Sequence, residues 1–383
     1  MTLIRRDVHK IGMSRMPTIL RRLTVGSLVA AILLLGCGRC AKKRDPAAEI
    51  VVERQADLSH LAVVAAARHY LLGIDTTTFR VEARIRLRDV AFDKAVKLAD
   101  GGVLIVNDGE SSAHNAYMFN PDCSLRTAAS VIDGPNTPFI HGHLALVGSR
   151  LWGPGGAQVA IYRLNDLSHC KTLSIAGGLL RQEFFCGQDN RIFFPYGGAH
   201  GGVEDGKSFP VMLNAETLDT THLCVGEPLT GQNAIPFVSA VHGDSLIMLP
   251  IAGCRPIVYS IAARRVLAYR DLNDEIGVRT GNAEGIVSQP IVQNGVLTML
   301  YASMGRTAYW VKIRLSDLTI VDVKRVLQDN AGWYAGDDFL TFGRFYVIEG
   351  NVEASKIFTA TFIDWRTGEV AGQCTVNDLK FSY

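Results

Sequence analysis

Polar side chains that can bind metals or anions recur in the loops of this 383-residue chain. The loop between Tyr196 and Ser208 is the richest, because a histidine and two carboxylates stand among its glycines. Converging carboxylates and imidazoles can hold a divalent metal, and guanidinium groups can hold an anion. Loops are also polar simply because they face water. The candidate residues for a ligand-binding face are Asp108, Glu110, His114, His200, Glu204, Asp205, Arg255 and Arg306.

A second candidate is the short motif His141-Gly142-His143. Alternate residues of a strand point to the same side, so the motif predicts two imidazoles that ligate one metal together. The alternative is that each histidine is a hydrogen-bonded structural residue. The sequence has neither a G-x-S-x-G elbow nor an H-E-x-x-H helix, so no catalytic residue is assigned.

A repeated unit must position these loops. In each copy a polar turn precedes a short apolar strand, and a β-hairpin follows after a variable loop. The turns recur about every 40–55 residues, which is the period of a propeller blade. The apolar strands are Val103–Val106, Ile192–Phe194, Leu246–Leu249, Val296–Leu300 and Phe345–Ile348, and a sixth follows the turn Gly148-Ser149-Arg150 at Leu151-Trp152.

These copies predict an all-β fold, a seven-bladed β-propeller. The seventh copy, at Leu71–Ile85, has a clear hairpin only, and Leu61–Ala67 before it fits a helix or a strand. We expect this blade to be split between the termini, with Leu379–Tyr383 as its missing strand, because a closed ring has no open strand edges. A six-bladed ring and two stacked β-sandwiches are the alternatives.

Propeller geometry predicts where a ligand binds. The loops between second and third strands, and those between blades, open on one face, which we call the loop face. All the candidate residues of the ligand-binding face lie in such loops. The longest connection between blades runs from Asp271 to Pro290.

Two hairpins carry a family resemblance. The segments Ile74-Asp75-Thr76-Thr77-Thr78 and Ile363-Asp364-Trp365-Arg366-Thr367-Gly368 are similar to those of YVTN-type and quinoprotein-like β-propellers. The resemblance covers roughly residues 60–383 and implies the architecture. It does not imply a quinone cofactor, because the four tryptophans hold no common position in the blades. We therefore predict no cofactor, and a divalent metal is the alternative.

The amino-terminal region predicts export. Residues 23–36 form an apolar stretch behind Arg21 and Arg22, which is too short to span a bilayer but matches a signal peptide. Leu34-Leu35-Gly36-Cys37 resembles the lipobox of bacterial lipoproteins. The resemblance implies cleavage before Cys37, a lipid on its thiol and attachment to a membrane. Gly38, in place of an aspartate, points to the outer membrane, facing the periplasm.

These motifs give three predicted parts: a signal peptide at 1–36, a lipidated tether at 37–57 and a propeller at 58–383. Six of the 39 basic and one of the 37 acidic residues lie in the signal peptide. The mature protein therefore carries a net charge of about −3, without a basic run that would suit nucleic acid.

The cysteines leave two alternatives open. None of the six beyond the tether belongs to a C-x-x-C motif, which argues against a zinc site. In an oxidising compartment one or two disulfides can form, or most can be small buried apolar residues. These six are Cys123, Cys170, Cys186, Cys224, Cys254 and Cys374.

Two functions follow from this sequence. The first is a non-enzymatic binding module that the lipid holds in the cell envelope and that contacts an envelope protein or a small ligand. The second is a metal-dependent hydrolase or lyase of the lactonase type, with its metal at the mouth of the central channel.

Overall fold

The structure is a computed structural model. The chain divides into two units, Met1–Arg44 and Asp45–Tyr383, and only the second contains described residues. The described residues are 46, 50–88, 90–92, 95–107, 114–132, 138–149, 157–175, 185–196, 209–223, 237–250, 253–281, 285–303, 307–327, 339–352 and 357–379. In this part of the chain, no helix has the length and apolar character needed to span a membrane.

The second unit consists of seven antiparallel sheets that follow one another along the chain. Blade 1 consists of β1 (Ile50–Arg54), β2 (Ala62–Ala66), β3 (Tyr70–Ile74) and β4 (Val81–Leu87). Blade 2 consists of β5 (Ala95–Lys97), β6 (Val103–Val106), β7 (Ala116–Phe119) and β8 (Leu125–Ala129). Blade 3 consists of β9 (Phe139–His141), β10 (Leu144–Gly148), β11 (Ala157–Arg163) and β12 (His169–Ile175). Blades 4 and 5 are built from β13 (Cys186–Gln188), β14 (Arg191–Tyr196), β15 (Phe209–Asn214), β16 (Thr220–His222); and β17 (Phe237–His242), β18 (Ser245–Pro250), β19 (Ile257–Ser260), β20 (Arg265–Tyr269).

Blade 6 has five strands and blade 7 has four. They are β21 (Gly285–Val287), β22 (Ile291–Gln293), β23 (Val296–Ser303), β24 (Ala308–Arg314), β25 (Thr319–Leu327); and β26 (Phe339–Phe342), β27 (Phe345–Val352), β28 (Ile357–Asp364), β29 (Glu369–Val376). A helix, α1 (Asn273–Thr280), connects blade 5 to blade 6, and a 3-10 turn at Leu58–His60 precedes β2.

Burial explains why middle and outer strands differ in sequence. All four residues of β6 are buried, because neighbouring blades cover both faces of the middle strands. The outer strand β20 alternates between exposed and half-buried residues, because only one of its faces is covered. Five of the six predicted second strands are thereby confirmed.

The sixth predicted second strand is wrong. The second strand of blade 3 is β10, and its preceding turn is at Gly142 and His143, so Gly148 ends the strand that it was expected to precede. Gly142 has a φ of +57°, which suits a two-residue hairpin turn. Leu144 to Val147 are buried, and this burial fixes the strand.

Packing between the first and last blades closes the ring. Ala62, Val64 and Leu72 of blade 1 share one buried cluster with Val347 and Phe362 of blade 7. Comparable clusters join the other neighbouring blades. The fold is therefore a seven-bladed β-propeller, and the six-bladed and two-sandwich alternatives are wrong.

The first blade corrects the predicted boundary of the tether. Strand β1 lies within the predicted tether at 37–57, yet Ile50, Val51 and Val52 pair with β4 of the propeller. The segment that fitted a helix or a strand is the strand β2. Leu379 is buried between blades 7 and 1, while the rest of the predicted closing strand, residues 380–383, lies outside the described residues.

The described cysteines are free thiols. Cys123, Cys170, Cys186, Cys254 and Cys374 belong to five different blades, and four of them are buried. Burial raises the pKa of the Cys186 and Cys254 thiols to about 12. Among these five, the apolar interpretation is confirmed; Cys224 lies outside the described residues.

Candidate functional site

Most of the predicted ligand-binding face cannot be placed. Asp108, Glu110, His200, Glu204, Asp205 and Arg306 lie outside the described residues, and only His114 and Arg255 are described. Arg255 pairs through Nε with Asp271 Oδ2 at 3.0 Å. No group of three His, Cys, Asp or Glu side chains suited to a metal occurs within the described ranges. The face and its metal therefore stay predictions.

The long connection between blades 5 and 6 is more ordered than a loop. Residues 271–290 contain α1 and β21, and Leu272 and Ile276 are buried in the core. The Asn273 side chain accepts a hydrogen bond from the Cys254 N–H at 2.6 Å. This connection therefore holds the end of the loop between β18 and β19 in blade 5.

The expected placement of His141 and His143 on one strand is wrong, while a metal held by the two histidines stays a prediction. His141 ends β9, and the chain reverses at Gly142, so the alternation of a continuous strand does not apply. His141 Nε2 lies 2.5 Å from the carbonyl oxygen of Asp189, and the imidazole stacks on Phe139. His141 therefore joins blade 3 to blade 4.

Lys97 is a cation close to the ring closure. Its Nζ donates hydrogen bonds to the carbonyl oxygens of Leu58 and, at 3.0 Å, Leu61. It also lies 5.9 Å from the centre of the Phe342 ring. Burial lowers the pKa of Lys97 to about 8, against the opposing effect of Asp57. The ammonium group of Lys97 in blade 2 thus contacts blades 1 and 7.

A cleft of about 640 Å³ opens between blades 7 and 1, and we call it the interblade cleft. Its blade 1 wall consists of Glu53 and Arg54, the segment Phe79–Val81, and Arg84. Its blade 7 wall consists of residues 374–378, at the end of β29 and just beyond. The volume lies within the range of small-ligand sites.

A β-bulge shapes the blade 1 wall. Val52 pairs with Ile85 and Arg54 pairs with Arg84, which leaves Glu53 as the extra residue of β1. Bulges redirect a side chain from its regular position. Here the Glu53 carboxylate lies 2.8 Å from Arg84 Nε.

Arg84 ties the two walls together. Its Nη1 donates a 2.8 Å hydrogen bond to Asp378 Oδ2, across the cleft from Glu53. The guanidinium carbon lies 4.9 Å from the centre of the buried Tyr70 ring, a distance typical of a cation–π contact. Arg84 is therefore held by two ion pairs and an aromatic ring, although its buried Nε has no acceptor with hydrogen-bond geometry among the described residues.

The other two arginines of the blade 1 wall differ in their hydrogen-bond partners. Arg54 donates to Glu82 at 2.7 Å and to the Val81 carbonyl at 2.6 Å. The Arg80 guanidinium is exposed, and no residue in the described ranges accepts a hydrogen bond from it. Among the described residues that line this cleft, Arg80 is thus an exposed cation whose guanidinium is still available to a ligand.

Phe79 fixes the position of Arg80. Its φ of +54° is unusual for a bulky residue and turns the ring into blade 7. The ring lies 5.3 Å from that of Phe362 and against Gly372, where a Cβ would come within 2.2 Å of it. Arg80 follows directly and is carried to the rim of the cleft.

Both walls end in strands with an open edge. Within the described residues, β1 pairs only with β4 and β29 pairs only with β28. Their outward N–H and C=O groups are therefore free to pair with another strand.

The sequence interpretation missed this cleft. Arg84 and Asp378 are 294 positions apart, and β1 had been placed in the tether. The one local signal is the alternation of Glu82, Arg84 and Arg86 with buried residues in β4, which indicates a polar face on a propeller strand.

No protein-family model matches this sequence, and no curated protein matches it either. A functionally unknown protein from Desulfotomaculum acetoxidans DSM 771 has a similar solved structure, with a TM-score of 0.53, 12% identity, and coverage of 82% of this chain and 95% of that one. The dihydro-heme d1 dehydrogenase NirN in complex with DHE has a TM-score of 0.49, 13% identity, and coverage of 88% and 80%. BamB from Moraxella catarrhalis has a TM-score of 0.44, 9% identity, and coverage of 86% and 89%. At such identities the likeness to the first structure concerns the fold alone.

Proposed function

We propose that this chain is a binding module of the cell envelope, anchored by a lipid on Cys37, and that the interblade cleft is a contact surface for its ligand. The observation that carries the proposal is the exposed Arg80 guanidinium at the rim of a cleft of about 640 Å³. Concave surfaces with a few uncommitted polar groups are typical of ligand sites.

The chemistry of the cleft suits binding better than covalent catalysis. Its thiol, Cys374, is only 4% exposed, and burial raises its pKa, which disfavours the reactive thiolate. The carboxylates of Glu53 and Asp378 are both engaged by Arg84. A ligand therefore meets a cation, apolar side chains and open strand edges.

The envelope location depends on the lipobox at Leu34-Leu35-Gly36-Cys37. Since β1 belongs to the propeller, the connection from Cys37 to the first blade ends at residue 49, which would keep the propeller near the membrane. Labelling with radioactive palmitate tests the anchor: we expect label in the wild type and none in Cys37→Ser. Label that persists in Cys37→Ser would contradict the anchor.

Site-specific photo-crosslinking in cells tests the contact surface. A photoreactive amino acid at Thr375, exposed on the cleft wall, should form adducts with an envelope component. The same group at Thr220, exposed on the outer strand of blade 4, is the matched control. Adducts that form equally from both positions, or from Thr220 alone, would exclude the cleft. A stoichiometric divalent metal that is lost in His200→Ala would favour the lactonase-type alternative instead.

A further inference from the structure

We propose that the interblade cleft binds an extended acidic peptide segment, whose backbone pairs with the open edge of β29 and whose carboxylate pairs with Arg80. This inference rests on the proposed function and specifies its ligand. Three features of the cleft lead to it: its strand edges, its charge balance and its apolar surface.

The open edge of β29 favours a peptide over a compact ligand. Residues from Gly372 to Val376 pair with β28 in uninterrupted register, so their outward backbone groups form a regular ladder that another strand can extend. The opposite wall is a poorer template, because β1 has five residues and a bulge at Glu53. An added strand would therefore pair with β29 and face β1 across the cleft.

The charge balance favours an acidic side chain. Arg54 is paired with Glu82, and Arg84 is paired with both Glu53 and Asp378. Arg80 is left without a carboxylate partner in the described part of the chain. A guanidinium group at the rim of the cleft can pair with a carboxylate through charge-assisted hydrogen bonds, which a neutral glutamine side chain cannot form equally well.

The apolar surface of the cleft favours a peptide in which apolar and acidic residues alternate. Phe79, Val81, Cys374 and Val376 line the cleft between the charged groups. Alternate residues of an added strand point to the same side, so one set of side chains would enter the cleft and the other set would face outward. A peptide of alternating valine and glutamate presents both apolar groups and carboxylates in either register.

Fluorescence anisotropy with the purified full-length protein tests this ligand class. The probe is a labelled Val-Glu-Val-Glu-Val-Glu peptide, and the comparison peptide replaces each glutamate with glutamine. We expect the acidic peptide to bind about tenfold more tightly at low salt, and the difference to shrink as salt is raised. Equal affinity for the two peptides would overturn the acidic class.

Matched variants locate the interaction. Arg80→Ala should abolish the preference for glutamate, and Arg80→Lys should restore part of it. Arg265→Ala is the control, because Arg265 is also exposed and follows the positive-φ residue of the corresponding turn in blade 5. Since Arg80 is exposed, its variants should fold, and circular dichroism checks this. A preference that survives Arg80→Ala, or that is lost in Arg265→Ala, would overturn the assignment to the cleft.

A proline variant of the peptide tests the pairing with β29. Proline cannot donate a backbone hydrogen bond, so proline at alternate positions should abolish binding. Free glutamate should not compete at matched concentration. Competition by free glutamate, or full binding of the proline variant, would show an anion site without strand addition. If adducts form at Thr375 but the protein shows no preference for acidic peptides, the proposal of a binding module stands and only the acidic peptide is excluded as its ligand.

Discussion

At the scale of single residues, polar side chains stabilise the turns between third and fourth strands. Asp75 Oδ1 accepts hydrogen bonds from the N–H groups of Thr77 and Thr78, both at 2.7 Å. At other positions of the equivalent turns, Asp122, Asp166 and Asp317 each accept a hydrogen bond from the N–H group two residues later. The backbone bonds favour the ionised carboxylate and lower the pKa of Asp75. At Asp122, Asp166 and Asp317 the hydroxyl groups of Ser124, Ser168 and Thr319 lower the pKa most, and the backbone N–H groups lower it further.

The lowered pKa values predict how stability depends on pH. The contribution of Asp75 is complete above its unfolded pKa of about 3.9 and is lost as pH falls through the lower folded pKa. Asp75→Asn keeps an acceptor but cannot ionise, so its stability deficit at pH 7 should vanish in acid. Urea unfolding between pH 7 and pH 2 measures this difference.

In blade 4 an asparagine occupies the turn position of Asp75, so the opposite substitution can be tested there. Asn214 already accepts from the N–H groups of Glu216 and Thr217. Asn214→Asp should therefore add stability at pH 7 that disappears below about pH 4. A pH-independent difference from the wild type, in either variant, would contradict the assignment.

At position 368, both the backbone conformation and the close packing of Trp310 require a glycine. Its φ is +70°, and a Cβ would lie 2.6 Å from Trp310 Cδ2. Trp310 is almost completely buried, and its Nε1 donates to the Trp365 carbonyl at 2.8 Å, so the indole cannot easily move. The site therefore tolerates no side chain.

Gly343 separates the two effects, because its φ is +55° but a Cβ would meet no atom within 4 Å. Gly343→Ala should cost about 1 kcal/mol of unfolding free energy, from backbone strain alone. Gly368→Ala should cost about 3 kcal/mol, because overpacking adds to the strain. Chemical denaturation measures both, and equal costs would reject the contact with Trp310.

At the scale of elements, β1 is the strand whose role was least expected. It extends the sheet of blade 1 outside β4 and contributes Glu53 to the cleft. Its sequence, Ile50 to Arg54, shows no alternation, and it follows a charged segment. Its pairing depends on the register with β4, whose partner residues lie 30 to 37 positions later, and no local pattern encodes this register.

Removal of β1 should destabilise the propeller. A chain that starts at Gln55 should lose about 2–4 kcal/mol of unfolding free energy relative to one that starts at Asp45, because the outer ladder and the Glu53–Arg84 pair are lost. Glu53→Gln in the longer chain separates the ion pair from the ladder and should lose less. If the two chain lengths have equal unfolding free energies, residues 50–54 do not stabilise the propeller and belong to the tether.

Local patterns predicted the middle strands well and the contact surfaces poorly. Val103–Val106 and Leu246–Leu249 are apolar runs between turn residues, so burial on both faces could be predicted from the sequence. The pattern His141-Gly142-His143 predicts both histidines on one strand, but Gly142 has a positive φ and turns the chain between them. The interblade cleft depends on contacts between the two ends of the domain, which periodicity does not encode.

At the scale of the whole molecule, ring closure creates the cleft. The inner parts of blades 7 and 1 pack through Val347, Phe358, Phe362 and Leu72. Further out, the walls separate and are spanned by Arg84 and Asp378. The site therefore exists only in the closed ring, and peptide binding at this site is the central claim of the account.

Hydrogen–deuterium exchange of the full-length protein, with and without the Val-Glu-Val-Glu-Val-Glu peptide, tests that claim most directly. Backbone amides that become covered by an added strand exchange more slowly. We predict slower exchange at Gly372–Val376 of β29 and on the facing wall at Ile50–Arg54, and a smaller effect at the same peptide concentration in Arg80→Ala, which binds the acidic peptide more weakly. Slower exchange confined to residues 108–113 and 197–208 on the predicted loop face would contradict the account.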